Sequence, residues 1–246
     1  MERYINFLLS KDEMKIELNK KPQNVIIVEG FPGFGLVGTI TTEYLIDHIK
    51  DIEKIGDIWF NEMNPLIAIH EGTIVDPLGI FYSKKHNLVF LHAVTNVGGV
   101  EWKLADAIKE VAKTLKAKEI ICVEGVGSLS KTSEGGVYYI SKTKGWDGTE
   151  AKKMNEGIIM GVTAALLLKT KDVPLSCVLA ETPSNLPDSR ASAKVIKVLD
   201  KYLNLEVDYK PLMKKAEQFE DKLKGILKQS KTAKTMKDKK EVSYMG

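Results

Sequence analysis

The sequence predicts an α/β protein in which a mostly parallel, mixed sheet is covered by helices. Short apolar runs alternate with stretches whose apolar residues recur every three or four positions, as in strand–helix–strand units. Several runs are continuously apolar, which is typical of strands buried on both faces. The short link between residues 79–83 and 87–94 favours an antiparallel hairpin within the sheet. The predicted strands are 24–29, 54–60, 65–70, 79–83, 87–94, 118–124, 137–141 and 175–181.

Helices are predicted at 35–50, 99–116, 155–169 and 190–203. The third is apolar nearly all round, and its Gly157 and Gly161 lie four residues apart, so we expect a fully buried helix. Residues 1–208 are predicted to form a single α/β domain. A narrow apolar stripe then predicts an amphipathic helix at 209–228, and the lysine-rich residues 229–246, with few apolar side chains, predict a flexible tail.

Composition excludes several classes of protein. Only Arg3 and Arg190 are arginines among 36 basic residues, which argues against sequence-specific binding of nucleic acid. No apolar run approaches the roughly 20 residues of a membrane-spanning helix, and the N-terminus lacks a secretion signal, so we expect a soluble, cytoplasmic protein. Lys and Glu are abundant and there are only three glutamines, a composition that is typical of a heat-adapted source. Cys122 and Cys177 lie in apolar runs and are expected to be buried and reduced.

A glycine-rich turn follows the first apolar strand. Gly33, Gly35 and Gly38 fit the pattern GxGxxG between a strand and a helix, where a dinucleotide fold binds pyrophosphate. The next strand, however, ends without the acidic residue that would bind a ribose. The turn therefore has two interpretations, a phosphate cradle or a tight turn in which helix and sheet pack closely, and the second is favoured.

Four glutamates follow apolar strands. If these strands are parallel, their carboxylates lie along one edge of the sheet, where α/β proteins bind ligands. Such a cluster has the chemistry of a divalent-metal or acid–base site, but it also suits hydrogen bonding to the following helices. The sequence contains no zinc spacing, phosphate loop or nucleophile motif, so we predict no catalytic residues, metal or cofactor. The four glutamates are Glu29, Glu71, Glu124 and Glu181.

Residues 28–38 (VEGFPGFGLVG) resemble the opening motif of the archaeal form of the proteasome assembly chaperone family. Residues 124–127, the helical stretch 157–168 and residues 180–183 follow in the order that the family shows. The resemblance implies a three-layer α/β/α sandwich and a homo-oligomer such as a tetramer or pentamer. It also implies that C-terminal tails bind α-subunits of the proteasome core particle.

In that family the tail ends in a hydrophobic residue, a penultimate tyrosine and one further residue, whereas Tyr244 is third from last here. The segment from Tyr209 onward contains 11 lysines and five acids, a net charge of +6. The resemblance implies a non-enzymatic assembly chaperone or proteasome-binding factor. The alternative is a small-molecule or nucleotide-binding enzyme that uses the glycine turn and the glutamates. The implied partner-binding residues are Val242, Tyr244, Met245 and Gly246, with Lys237, Lys239 and Lys240 to speed the encounter.

Overall fold

The computed structural model describes residues 5–9, 14–63, 67–70, 73–127 and 135–214. The strands are β1 Ile5–Leu9, β2 Met14–Leu18, β3 Ile26–Gly30, β4 Ile52–Phe60, β5 Ala68–His70, β6 Thr73–Val75, β7 Leu78–Ser83, β8 Leu88–Ala93, β9 Glu119–Gly127, β10 Val137–Ser141, β11 Lys152–Lys153 and β12 Leu175–Thr182. The helices are α1 Val37–His48, α2 Glu101–Thr114, α3 Gly161–Lys169, α4 Ser189–Leu203 and α5 Lys210–Lys214, with 3-10 turns at Phe34–Leu36 and Trp146–Gly148. No helix in these ranges is long and apolar enough to cross a membrane.

The described strands form a mixed sheet in the order β1-β2-β4-β7-β8-β3-β9-β12-β10-β11, beside a separate β5–β6 hairpin. The four central strands β8, β3, β9 and β12 are parallel. The predicted β7–β8 hairpin is confirmed. The neighbouring strands β1, β2, β4 and β7 pair antiparallel, as do β10 and β12, so the parallel share is smaller than the sequence indicates. The parallel part provides the edge at which the carboxyl ends of several strands meet.

Helices cover both faces of the sheet, which confirms the three-layer α/β/α architecture. Helices α2 and α3 pack together on one face, where Leu104 and Leu166 belong to one apolar core. Helices α1 and α4 cover the other face, where Ile40 and Ile196 belong to a second core. Two cores on either side of the central strands explain why those strands are continuously apolar.

The prediction of a fully buried helix at 155–169 is wrong. The helix is confined to Gly161–Lys169, and the segment before it is exposed. Ile158 and Met160 are 85% and 76% exposed, and Leu168 on the helix is 66% exposed. A helix on a sheet buries only the stripes that face the sheet and its neighbouring helix, so apolar residues outside those stripes remain uncovered.

The predicted C-terminal helix begins as expected, with α5 at Lys210–Lys214. Leu212 is buried in the core on the α1–α4 side, and the Tyr44 hydroxyl donates a 2.7 Å hydrogen bond to the Asp208 carbonyl in the preceding link. The remainder of the predicted helix and the predicted tail lie outside the described residues. Cys122 and Cys177 are buried and form no disulfide, as predicted.

Candidate functional site at the carboxyl edge of the sheet

The parallel strands β3 and β9 bring two of the predicted glutamates together. Glu29 is paired in register with Cys122, and Glu124 lies two residues further along β9 on the same face. Glu29 is 1% exposed. Its carboxyl group accepts hydrogen bonds from the Phe31 N–H and the Cys122 thiol, while its Oε2 has no partner among the described residues. A buried carboxyl group with an unsatisfied oxygen is unusual in a folded protein and identifies this pair as the candidate site.

Burial changes the acidity of both groups. Removal from water raises the pKa of Glu29 to about 8, and the negative charge of Glu124 adds to this rise. Burial likewise raises the pKa of Glu124 to about 7, opposed by hydrogen bonds to its carboxylate. Glu29 therefore holds a proton at neutral pH, and Glu124 is poised to exchange one. Carboxyl groups with such pKa values are common at functional sites.

The glycine-rich turn is built around the Glu124 side chain. The backbone N–H groups of Phe34 and Gly125 donate to its carboxylate, and the Thr163 hydroxyl at the start of α3 lies 3.2 Å from Oε2. A Cβ at Gly33 would overlap Glu124 Oε1. Gly33 thus permits the close approach of this carboxylate, which receives the kind of backbone hydrogen bonds that a phosphate receives in a dinucleotide fold.

The other glycines of the motif pack against the sheet. Gly35 has a φ of +63°, which favours glycine, and a Cβ there would lie 2.7 Å from Thr182 Cγ2. A Cβ at Gly38 would lie 2.5 Å from the Val123 carbonyl oxygen. The turn is further held by the Asp188 N–H, which donates a 2.9 Å hydrogen bond to the Gly35 carbonyl. These contacts favour the interpretation of the motif as a tightly packed turn.

The remaining predicted glutamates are not part of this pair. Glu181 lies on β12, where its carboxylate accepts a 2.8 Å hydrogen bond from the Gly136 N–H and so anchors the entry to β10. Glu71 lies outside the described residues. In the described part of the chain, no group of three or more His, Cys, Asp or Glu side chains has the arrangement of a metal site. The tail residues predicted to bind a partner also lie outside the described residues.

The partners of the buried Glu124 and His92 side chains were not predictable from the motifs in the sequence. Thr163 was not predicted as a site residue because α3 was expected to begin at residue 155, six residues too early. A threonine in the first turn of a helix that begins at the carboxyl edge was the available signal. On the opposite face, His92 is 3% exposed, as expected of a core histidine. Its Nδ1 lies 2.8 Å from the Thr42 hydroxyl and its Nε2 lies 2.7 Å from Glu43 Oε2. These contacts orient the ring between β8 and α1.

Residues 27–227 match the model of the PAC2 family, a range that includes the glycine turn and both glutamates of the site. The chain belongs to the PAC2 family. Among solved structures, this PAC2 protein is similar to Pyrococcus furiosus PbaA, an archaeal homolog of proteasome-assembly chaperone. The two share 28% identity over 90% of this chain and 99% of PbaA, with a TM-score of 0.79.

Two other relatives also match most of the chain. Pyrococcus furiosus PbaB, an archaeal proteasome activator, is 21% identical over 88% of this chain and 99% of PbaB, with a TM-score of 0.72. An uncharacterized protein of Methanocaldococcus jannaschii is 27% identical over 225 residues, which cover 89% of this chain and 90% of the relative. This PAC2 protein therefore aligns with whole relatives rather than with parts of larger ones.

Proposed function

We propose that this PAC2 protein binds proteasome subunits, as an assembly chaperone or a related proteasome-binding factor. The observation that carries the proposal is the similarity to PbaA, which extends over 90% of this chain at 28% identity. The carboxyl-edge site supports a non-enzymatic role, because Glu29 is out of reach of a substrate and the glycine turn is occupied by Glu124.

In the proposed mechanism, the C-terminal segment makes the contact with proteasome α-subunits. Tyr244 would anchor the tail, since a tyrosine buries a large ring while its hydroxyl finds a polar partner. Val242, Met245 and Gly246 would complete the contact. The net charge of +6 on the segment from Tyr209 onward would attract an acidic surface and speed the encounter.

The proposed state of the protein is a homo-oligomer, so that several tails act together. An uncovered apolar surface on the α2–α3 layer supports this. Trp102 on α2 is 53% exposed, Leu168 on α3 is 66% exposed, and Ile158 and Met160 precede α3. Exposed apolar side chains grouped on one layer are typical of an interaction surface. Association of copies through this layer would remove those side chains from water.

Native mass spectrometry of the full chain, alone and mixed with proteasome α-subunits, tests the proposal. We expect a homo-oligomer alone and a complex in the mixture. Deletion of residues 242–246 should abolish the complex while the oligomer persists, because the tail binds the partner and the body binds copies of itself.

The triple variant K237S/K239S/K240S is the matched comparison, since it removes tail charge and keeps the anchor. We expect slower association with little change in dissociation. If the deletion variant binds α-subunits as tightly as the full chain, the tail mechanism is wrong. If the full chain forms no complex, the proposed function itself is wrong.

A further inference from the structure

A cleft of about 480 Å³ opens at the edge of the sheet opposite to the Glu29–Glu124 site. Its lining includes Ile26 and Leu88, the first residues of β3 and β8. It also includes residues of the last turn of α4 and of the loop 144–149. Its volume falls in the range of roughly 300–1,000 Å³ that is typical of small-molecule sites. The cleft is therefore separate from the carboxyl-edge site and large enough for a small ligand.

The ionisable side chains that line the cleft are those of basic residues. Lys144, Lys201 and His86 belong to its lining, and no aspartate or glutamate does. Within the described ranges, neither Lys144 nor Lys201 forms an ion pair with a carboxylate. Two ammonium groups without carboxylate partners on the lining of an open cleft form an electrostatic site for an anion.

Acidic side chains of the surrounding elements are bound to other groups. Glu119 is 4% exposed and accepts a 2.9 Å hydrogen bond from the Tyr202 hydroxyl and another from the Ser176 hydroxyl. Asp147 accepts a hydrogen bond from the Tyr139 hydroxyl. Both carboxylates thus have hydrogen-bond partners within the protein, and neither forms an ion pair with Lys144 or Lys201.

The cleft also has a preorganised apolar side. The Tyr202 ring stacks on the buried Trp146 ring, with centroids 3.8 Å apart and an angle of 16° between the planes. Together with its hydrogen bond to Glu119, this stack fixes the tyrosine ring. Leu88 and Leu203 add aliphatic surface. A ligand with an apolar or aromatic body would thus bury that body against side chains that are already held in place.

We propose that this cleft binds a small phosphate monoester that carries an apolar or aromatic body. A phosphate monoester has a charge of about −1.5 to −2 at pH 7, which the two lysine ammonium groups match. The C-terminal segment of the chain itself is excluded as the occupant by its net charge of +6. The proposal is independent of proteasome binding, because the cleft involves neither the tail nor the exposed α2–α3 layer.

Isothermal titration calorimetry of the full chain with adenosine 5′-monophosphate tests the proposal, with adenosine and inorganic phosphate as separate titrants. We expect binding of the monophosphate, weaker binding of inorganic phosphate and none of adenosine, since the charge and the body both contribute. Equal binding of adenosine and its monophosphate would overturn the assignment of a phosphate site.

The double variant K144Q/K201Q should bind the monophosphate at least about tenfold more weakly, because both ammonium groups that pair with the phosphate are lost. The matched control K113Q/K171Q removes the same charge from two exposed lysines on the α2–α3 side of the sheet. This control variant should bind adenosine 5′-monophosphate with the same affinity as the unmodified chain. Equal weakening in both variants, or no heat of binding with the unmodified chain, would overturn the proposal.

Discussion

The buried Glu29 carboxyl group predicts that the stability of this PAC2 protein falls as the pH rises through neutrality. Burial, reinforced by the charge of Glu124, raises the pKa of Glu29 from 4.5 to about 8. Between these values the unfolded chain ionises at Glu29, whereas the folded chain keeps the proton. The folded state then binds one more proton than the unfolded state, so this residue lowers the free energy of unfolding by about 1.4 kcal/mol per pH unit.

The substitution Glu29→Gln removes this titration while it keeps a neutral polar side chain of the same size. Near the unfolded pKa we expect E29Q and the unmodified chain to be equally stable. Above it, E29Q should become more stable by an amount that grows with pH and reaches at most about 5 kcal/mol near a pH of 8. Urea unfolding of both proteins, from about pH 5 to about pH 8, measures the difference.

The control is Glu156→Gln, which makes the same substitution at an exposed position. The difference between E156Q and the unmodified chain should stay constant with pH. A constant difference for E29Q as well would refute the reasoning, because it would mean that Glu29 is ionised in the folded protein throughout this range.

Two further predictions concern the turn and the helix beside it. The substitution Gly33→Ala places a Cβ where Glu124 Oε1 lies, so it should lower the free energy of unfolding by about 1–3 kcal/mol. In the control Gly127→Ala the Cβ would lie 3.9 Å from its nearest neighbour, so the free energy of unfolding should change by no more than about 0.5 kcal/mol. The substitution Asp188→Ala removes the side chain that caps α4 through a 2.9 Å hydrogen bond from the Ala191 N–H, which should cost about 1 kcal/mol. Urea unfolding measures both, and unchanged midpoints would contradict them.

The sequence alone determined the class of fold and the central strands. Continuous apolar runs identified β3, β8, β9 and β12, because strands covered on both faces need apolar residues at nearly every position. It did not identify β2, whose buried Met14, Ile16 and Leu18 alternate with charged residues. That period of two was present, but the charged Lys15 and Glu17 interrupt the continuous apolar run that marks the central strands. It also overextended α3, because apolar content by itself does not tell which residues a neighbouring element covers.

At the site, the sequence placed Glu29 and Glu124 along one edge, since each comes at the end of an apolar run. Only the tertiary structure decided that these two meet and that Glu181 does not join them, because this depends on which strands are neighbours and in which register they pair. The hydroxyl of Thr163 reaches Glu124 across 39 residues of sequence. Hydropathy and periodicity are properties of a short stretch of chain, whereas desolvation, and with it the raised pKa of Glu29, arises from groups that only folding brings together.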